Sequence, residues 1–136
     1  MSSSSALQFP ISEAPDMGQP LEVATGVYWL RMPLPFSLNH INLWLLEDHE
    51  GWTIVDTGIN TSACKELWQQ VFDNHLKGKP VTQIVVTHLH PDHVGLAGWL
   101  CERWGLTLQM SRTDYMACRV LMADTGKEAP AAAIEF

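Results

Sequence analysis

Val81-Thr82-Gln83-Ile84-Val85-Val86-Thr87-His88-Leu89-His90-Pro91-Asp92-His93-Val94-Gly95 is the stretch on which the reading of this chain turns. Val81 to Thr87 form a short, largely apolar run that reads as a strand buried on both faces. The residues that follow change character at once. His88 and His90 lie two apart at the strand end, and period-two geometry turns their rings to one side. Pro91 keeps His90 extended and fixes its own φ at about −65°. The chain then turns into a helix at Asp92 and His93, where the positive end of the helix dipole favours a carboxylate. Gly95 leaves room for a close backbone approach.

Three imidazoles and a carboxylate on one strand-to-helix turn are ligand types that suit Zn²⁺, with bonds of about 2.0–2.2 Å. Fe²⁺ and other divalent ions use the same donors. Asp92 and His93 are chain neighbours, so their side chains are expected to diverge, and the four ligands are not expected to share one ion. Two positions fit better, with His88 and His90 at one and Asp92 and His93 at the other. A solvated polar turn is the plain alternative, and the strand and helix that frame the loop argue against it.

Outward from the loop, the pattern is that of an α/β protein with helices packed on a mixed sheet. Upstream, Val27 to Met32, Ile41 to Leu46 and Trp52 to Val55 read as strands. Glu47-Asp48-His49-Glu50-Gly51 reads as the turn of an antiparallel hairpin. Cys64, Leu67, Trp68, Val71, Phe72 and His75 recur at helical spacing over Thr61 to Leu76, and Lys77-Gly78-Lys79-Pro80 supplies stop signals. Downstream, one helix is expected over Val94 to Trp104, with Gly105 at its left-handed C-terminal position. A strand over Leu106 to Met110 follows. The capping box Ser111-Arg112-Thr113-Asp114 opens a last helix, to about Ala123. Residues 1–20, rich in Ser, Pro and Gly, read as a flexible arm before a domain over 21–136. The six tryptophans read as core.

The chain has 136 residues and a net charge of −7, with only 8 Lys and Arg. That balance argues against nucleic acid, because phosphate contacts need cationic side chains. Cys64, Cys101 and Cys118 form no Cys-x-x-Cys pair and read as reduced core thiols. The N-terminus lacks the basic and apolar regions of a signal peptide, and no apolar run is long enough to span a membrane. The expected setting is the cytoplasm, with no membrane partner.

The run His88-Leu89-His90-Pro91-Asp92-His93 resembles the metal motif of the metallo-β-lactamase superfamily. Val55-Asp56-Thr57-Gly58 resembles that family's earlier Asp motif at a strand end. The resemblance covers roughly Leu21 to Ala123 and implies an αββα sandwich, of which this chain holds the first half. It also implies two zinc ions in a complete site, the first two histidines on one and the Asp-His pair on the other. A bridging hydroxide would attack an ester, thioester, lactone or lactam in a small-molecule substrate, with Asp92 orienting it. For Asp56 two readings stand open: a turn cap, or a group that orients the metal loop from behind the ligands. His40 reads as a surface residue, or as a substrate contact in a loop overhanging the site.

The chain departs from the family in one respect. No histidine follows His93, and the later aspartates, Asp114 and Asp124, fall in or beside the last helix. The C-terminal half that completes the ligand set is therefore expected to be missing, and the uncovered sheet face to invite self-association. The leading expectation is a dinuclear zinc hydrolase, inactive as this truncated chain. The alternatives are an iron enzyme like the persulfide dioxygenases, or a non-catalytic metal-binding fragment.

Overall fold

The computed structural model describes residues 7–123. Its elements run β1 (Leu21–Ala24), β2 (Val27–Pro33), β3 (His40–Glu47), β4 (Trp52–Val55), α1 (Ser62–Asn74), β5 (Val81–Val85), α2 (Pro91–Val94), α3 (Ala97–Trp104), β6 (Leu108–Gln109) and α4 (Arg112–Ala123). The strands form one mixed sheet in chain order. β1 to β4 pair antiparallel, and β5 and β6 join them in parallel. The change of sense has a local cause. The β3–β4 turn is tight, closed by Asp48 Oδ1 accepting from Glu50 N (2.8 Å) and Gly51 N (2.9 Å). Parallel pairing needs a longer crossover, which α1 supplies before β5 and α2–α3 before β6.

Both crossovers pack on one face. β3 alternates strictly, burying Ile41, Leu43 and Leu45 while Asn42, Trp44 and Leu46 look out. The buried set joins Leu30, Met32, Trp52, Ile54 and Ile84 from the sheet with Cys64, Trp68 and Val71 of α1 and Leu100 of α3. The opposite face keeps an apolar row running straight across five strands, Leu21–Trp29–Trp44–Val55–Val85. Trp44 and Leu46 are 36% and 37% exposed there. The expected α/β half-sandwich, with helices on one face, is thus the observed architecture. The tryptophans divide: Trp52 and Trp68 are core, whereas Trp29 and Trp44 stand on the open face.

Three boundaries differ from expectation for physical reasons. The helix expected over Val94 to Trp104 breaks at Gly95-Leu96, where Leu96 N donates to Thr57 Oγ1 (3.1 Å) and Gly58 O (3.2 Å) instead of within a helix. The arm is tied from Pro15 onward: Pro15 is buried, Met17 bridges to Arg31, and Gly18 N donates to Arg31 O at 2.8 Å. β6 shortens to two residues because it pairs only with Ile84 and Val85. The ends of the expected arm and of the C-terminal tail, with Asp124, lie outside the described residues. The Gly105 cap holds, at φ 65°. No helix among the described residues is long and apolar enough to cross a membrane.

Trp68 joins this core to the loop edge. It is fully buried, and its indole N–H donates to Thr57 O at 2.8 Å. Trp68→Ala is expected to cost about 3–5 kcal/mol of stability. Trp68→Phe should cost less, since it keeps most of the apolar volume and leaves one carbonyl unpaired. Urea unfolding measures both. An unchanged midpoint for the alanine variant would sever the proposed link.

Candidate metal centre

The sheet topology brings two strand ends to one edge. β4 and β5 are parallel neighbours, so the turn after Val55 and the loop after Val85 emerge side by side. β3 runs the other way, so its first residue, His40, lies at the same edge. The His40 ring is paired there with Asn39 Oδ1 at 2.9 Å, and none of its hydrogen bonds reaches the loop.

Asp56 opens the first turn in an unusual conformation, with φ 63°. Aspartate tolerates this left-handed region better than most residues, and such strain persists where the surroundings over-determine it. They do so here. The Asp56 backbone N–H remains in the ladder, donating to Val85 O at 2.8 Å. The carboxylate, on a side chain only 7% exposed, accepts from Thr87 N at 2.8 Å on Oδ1 and from His93 Nδ1 at 2.8 Å on Oδ2. The Thr87 hydroxyl lies 2.9 Å from Oδ2 and 3.1 Å from Oδ1. Asp56 therefore does more than cap a turn: it binds both ends of the histidine loop.

Thr57 completes the seam. Its N–H and its hydroxyl both donate to His93 O, at 2.8 and 2.7 Å, and its side-chain oxygen accepts from Leu96 N. Gly95 makes this docking possible, as expected from the sequence. A Cβ there would lie 2.4 Å from Pro91 O, 2.8 Å from Gly58 O and 2.9 Å from Asn60 N. From the other side, Asp114 Oδ1 accepts from Leu89 N at 3.2 Å while Ser111 caps α4 through the Asp114 N–H. The Ser111 hydroxyl, the Leu89 amide and the nearby His88 hold the Asp114 carboxyl below its ordinary range.

The four candidate ligands of the loop form two pairs. His88 Nε2 and His90 Nδ1 are 3.1 Å apart. His93 Nε2 and Asp92 Oδ2 are 3.6 Å apart. Donors around a tetrahedral ion with zinc-length bonds are separated by about 3.3 Å, so both spacings fit a shared ion. The expected divergence of Asp92 and His93 is thereby corrected: the pull of Asp56 on Nδ1 swings the His93 ring so that Nε2 faces its neighbour. The pairs are adjacent, with the His88 and His93 ring centroids 3.9 Å apart. Among the described residues, no three His, Cys, Asp or Glu side chains gather at one ion position. Each pair thus offers two candidate donors.

Sequence reasoning singled out His88, His90, Asp92, His93 and Asp56, and the structure brings all five together. It passed over Thr57 and Thr87, and it set Asp114 aside as a helix residue. The signals for these were weak, because each acts through a partner 25 to 39 positions away.

Gly95→Ala tests the docking of the loop on the Asp56 turn. The methyl group meets backbone on three sides, so a loss of about 1–3 kcal/mol is expected. The His93 imidazole resonances should shift as the loop lifts. A variant as stable as the parent, with His93 unmoved, would show that the contact is loose.

Comparison with known proteins bears on the family and the fold. The profile of the metallo-beta-lactamase superfamily matches residues 37–132. The probable metallo-hydrolase YqjP of Bacillus subtilis is 34% identical over 68 residues, which are 49% of this chain and 21% of that protein. A beta-lactamase domain protein from Burkholderia ambifaria superposes with a TM-score of 0.80 at 50% identity, over 88% of this chain and 38% of its own. The metallo-beta-lactamase FIM-1 from Pseudomonas aeruginosa, at 18% identity and a TM-score of 0.62 over 74% of this chain and 45% of its own, shares the fold. The chain thus spans about a fifth to two fifths of the first two relatives. With its profile matched over most of its length, and the same fold in solved relatives, the chain belongs to the metallo-beta-lactamase superfamily.

Proposed function

We propose that this chain carries the metal-binding loop of a dinuclear zinc hydrolase acting on an ester, thioester, lactone or lactam in a small molecule. The observation that carries the reading is the division of four ligands into two adjacent pairs, each at zinc-compatible spacing. His88 and His90 would hold one ion, and Asp92 and His93 the other. A bound zinc ion supplies water whose pKa is lowered to about 7, a nucleophile at neutral pH.

The chain's own residues do the rest. Asp56 holds His93 by its Nδ1 and aims Nε2 outward. Asp92, with 29% of its side chain exposed, can accept a hydrogen bond from the attacking water and orient it. His40, at the same edge of the sheet, would be a substrate contact. Catalytic zinc sites usually take three protein ligands and a water. With two donors per ion, the chain alone is expected to bind zinc weakly and to turn over little substrate.

Zinc titration by calorimetry tests the ligand assignment. The parent should bind, well short of the affinity of a complete site. His88→Ala and His90→Ala should each weaken binding by more than about tenfold, the lower bound for losing even an outer partner of a ligand. Absence of zinc binding would refute the metal loop, and sub-nanomolar binding by a monomer would refute the shortage of ligands. Hydrolysis of a chromogenic ester, thioester, lactone and lactam panel should depend on zinc and fail in Asp92→Asn. Oxygen consumption with iron would favour an oxygenase instead.

A second expectation concerns the open face. We propose that two copies associate through the Trp29–Trp44 row, about a two-fold axis that pairs like patches. Sedimentation at micromolar concentration should show association, and Trp44→Lys should suppress it. A parent that remains monomeric would end this proposal.

A further inference from the structure

We propose that Thr87 is a positioning residue, whose hydroxyl extends the reach of Asp56 so that one carboxylate sets the tautomer of a ligand in each metal pair. The inference rests on the metal-loop reading for its purpose, though not for its geometry. Asp56 contacts His93 directly, through Nδ1 at 2.8 Å. No hydrogen bond joins it to His88. Thr87 stands between them, with Oγ1 2.9 Å from Asp56 Oδ2 and 2.8 Å from His88 Nδ1.

Proton counting fixes the direction of this chain. An ionised carboxylate only accepts, and a hydroxyl has one proton to give. Against Asp56, the Thr87 proton must point at the carboxylate, because a hydroxyl lone pair would face it otherwise. The Thr87 oxygen then turns its lone pairs to His88, so His88 Nδ1 must carry a proton and donate. His88 Nε2 is left with a free lone pair. His93 arrives at the same state by the direct route, since its Nδ1–H donates to Asp56 and its Nε2 is free. The two freed nitrogens are those that face the rest of each pair, His90 Nδ1 at 3.1 Å and Asp92 Oδ2 at 3.6 Å. A histidine ligand needs such a lone pair, and the hydrogen bond on its other nitrogen decides which one is available.

A consequence falls on His90. In the metal-free chain the His88 Nε2 lone pair faces His90 Nδ1 at hydrogen-bonding distance, so His90 Nδ1 carries the proton there. His90 is the ligand that must exchange tautomer before it can bind an ion through Nδ1. His88 and His93 are already set.

The test is nitrogen-15 NMR of the imidazoles in the metal-free full chain, which reports each ring's protonated nitrogen directly. The parent should show Nδ1–H on both His88 and His93. Thr87→Val keeps the shape of the side chain and the backbone N–H to Asp56, and removes only the relay. His88 should then lose its Nδ1–H preference while His93 keeps it, and Thr87→Ser should restore the parent pattern. Asp56→Asn should disturb both rings. Zinc affinity, read by calorimetry, should fall ten- to a hundredfold in Thr87→Val, the usual cost of losing an outer partner of a ligand, and recover in Thr87→Ser. A folded Thr87→Val chain with His88 unchanged in tautomer would overturn the proposal. So would a parent in which His88 Nδ1 bears no proton. Failure of the parent to bind zinc would instead strike the metal-loop reading, and the tautomer pattern would still decide the role of Thr87.

Discussion

The Asp56 carboxylate, nearly sealed from solvent, receives an amide proton from Thr87, a ring proton from His93 and the hydroxyl of Thr87. A buried carboxylate is costly unless every lone pair finds a donor. Here the donors all come from the two ends of the same seven-residue loop. The requirement therefore works in both directions. The loop satisfies the charge, and the charge prevents the loop from adopting any shape that would leave an oxygen bare. The left-handed backbone at Asp56 follows from this constraint, as does the ring orientation of His93.

That hub depends in turn on the parallel pairing of β4 and β5. Asp56 can reach Thr87 because Val55 and Val85 are register partners and both strands end together. The pairing needs α1 as a crossover, and α1 is held by Trp68, whose indole N–H returns to Thr57 beside the hub. Core burial and site geometry thus meet in one dipeptide, Asp56-Thr57. Its first residue fixes side chains and its second fixes backbone, through His93 O and Leu96 N. The break in the expected helix at Gly95-Leu96 is the visible result of that second task.

Much of this was legible in the sequence, because it is written in local periods. The strand run from Ile41 to Leu46 and the helical spacing from Cys64 to Phe72 each span a few residues, and both were read correctly. What escaped were pairings between distant residues. Nothing local in Leu96 says that its amide serves Thr57 rather than a helix. Ser111 and Asp114 read as a cap, and they are one, yet the same carboxylate also holds Leu89 N across 25 residues. The tryptophans of β2 and β3 failed for another reason. Both faces of these strands carry large apolar side chains, so alternation alone could not show which face the helices would cover.

The two faces of the sheet bear differently on the site. Loop geometry is fixed from the covered face, through Trp68, Thr57 and the close approach of Gly95 to Gly58 and Asn60. The side chains of the open row from Leu21 to Val85 add apolar surface and take no part in the hydrogen bonds of the hub, which meets the row only at the Val85 carbonyl. Association or covering of that face should therefore change the stability of the chain more than the shape of its ligand pairs. The donor count is a separate matter. The loop offers its candidate donors in two pairs, and no tightening of the packing behind them changes that number.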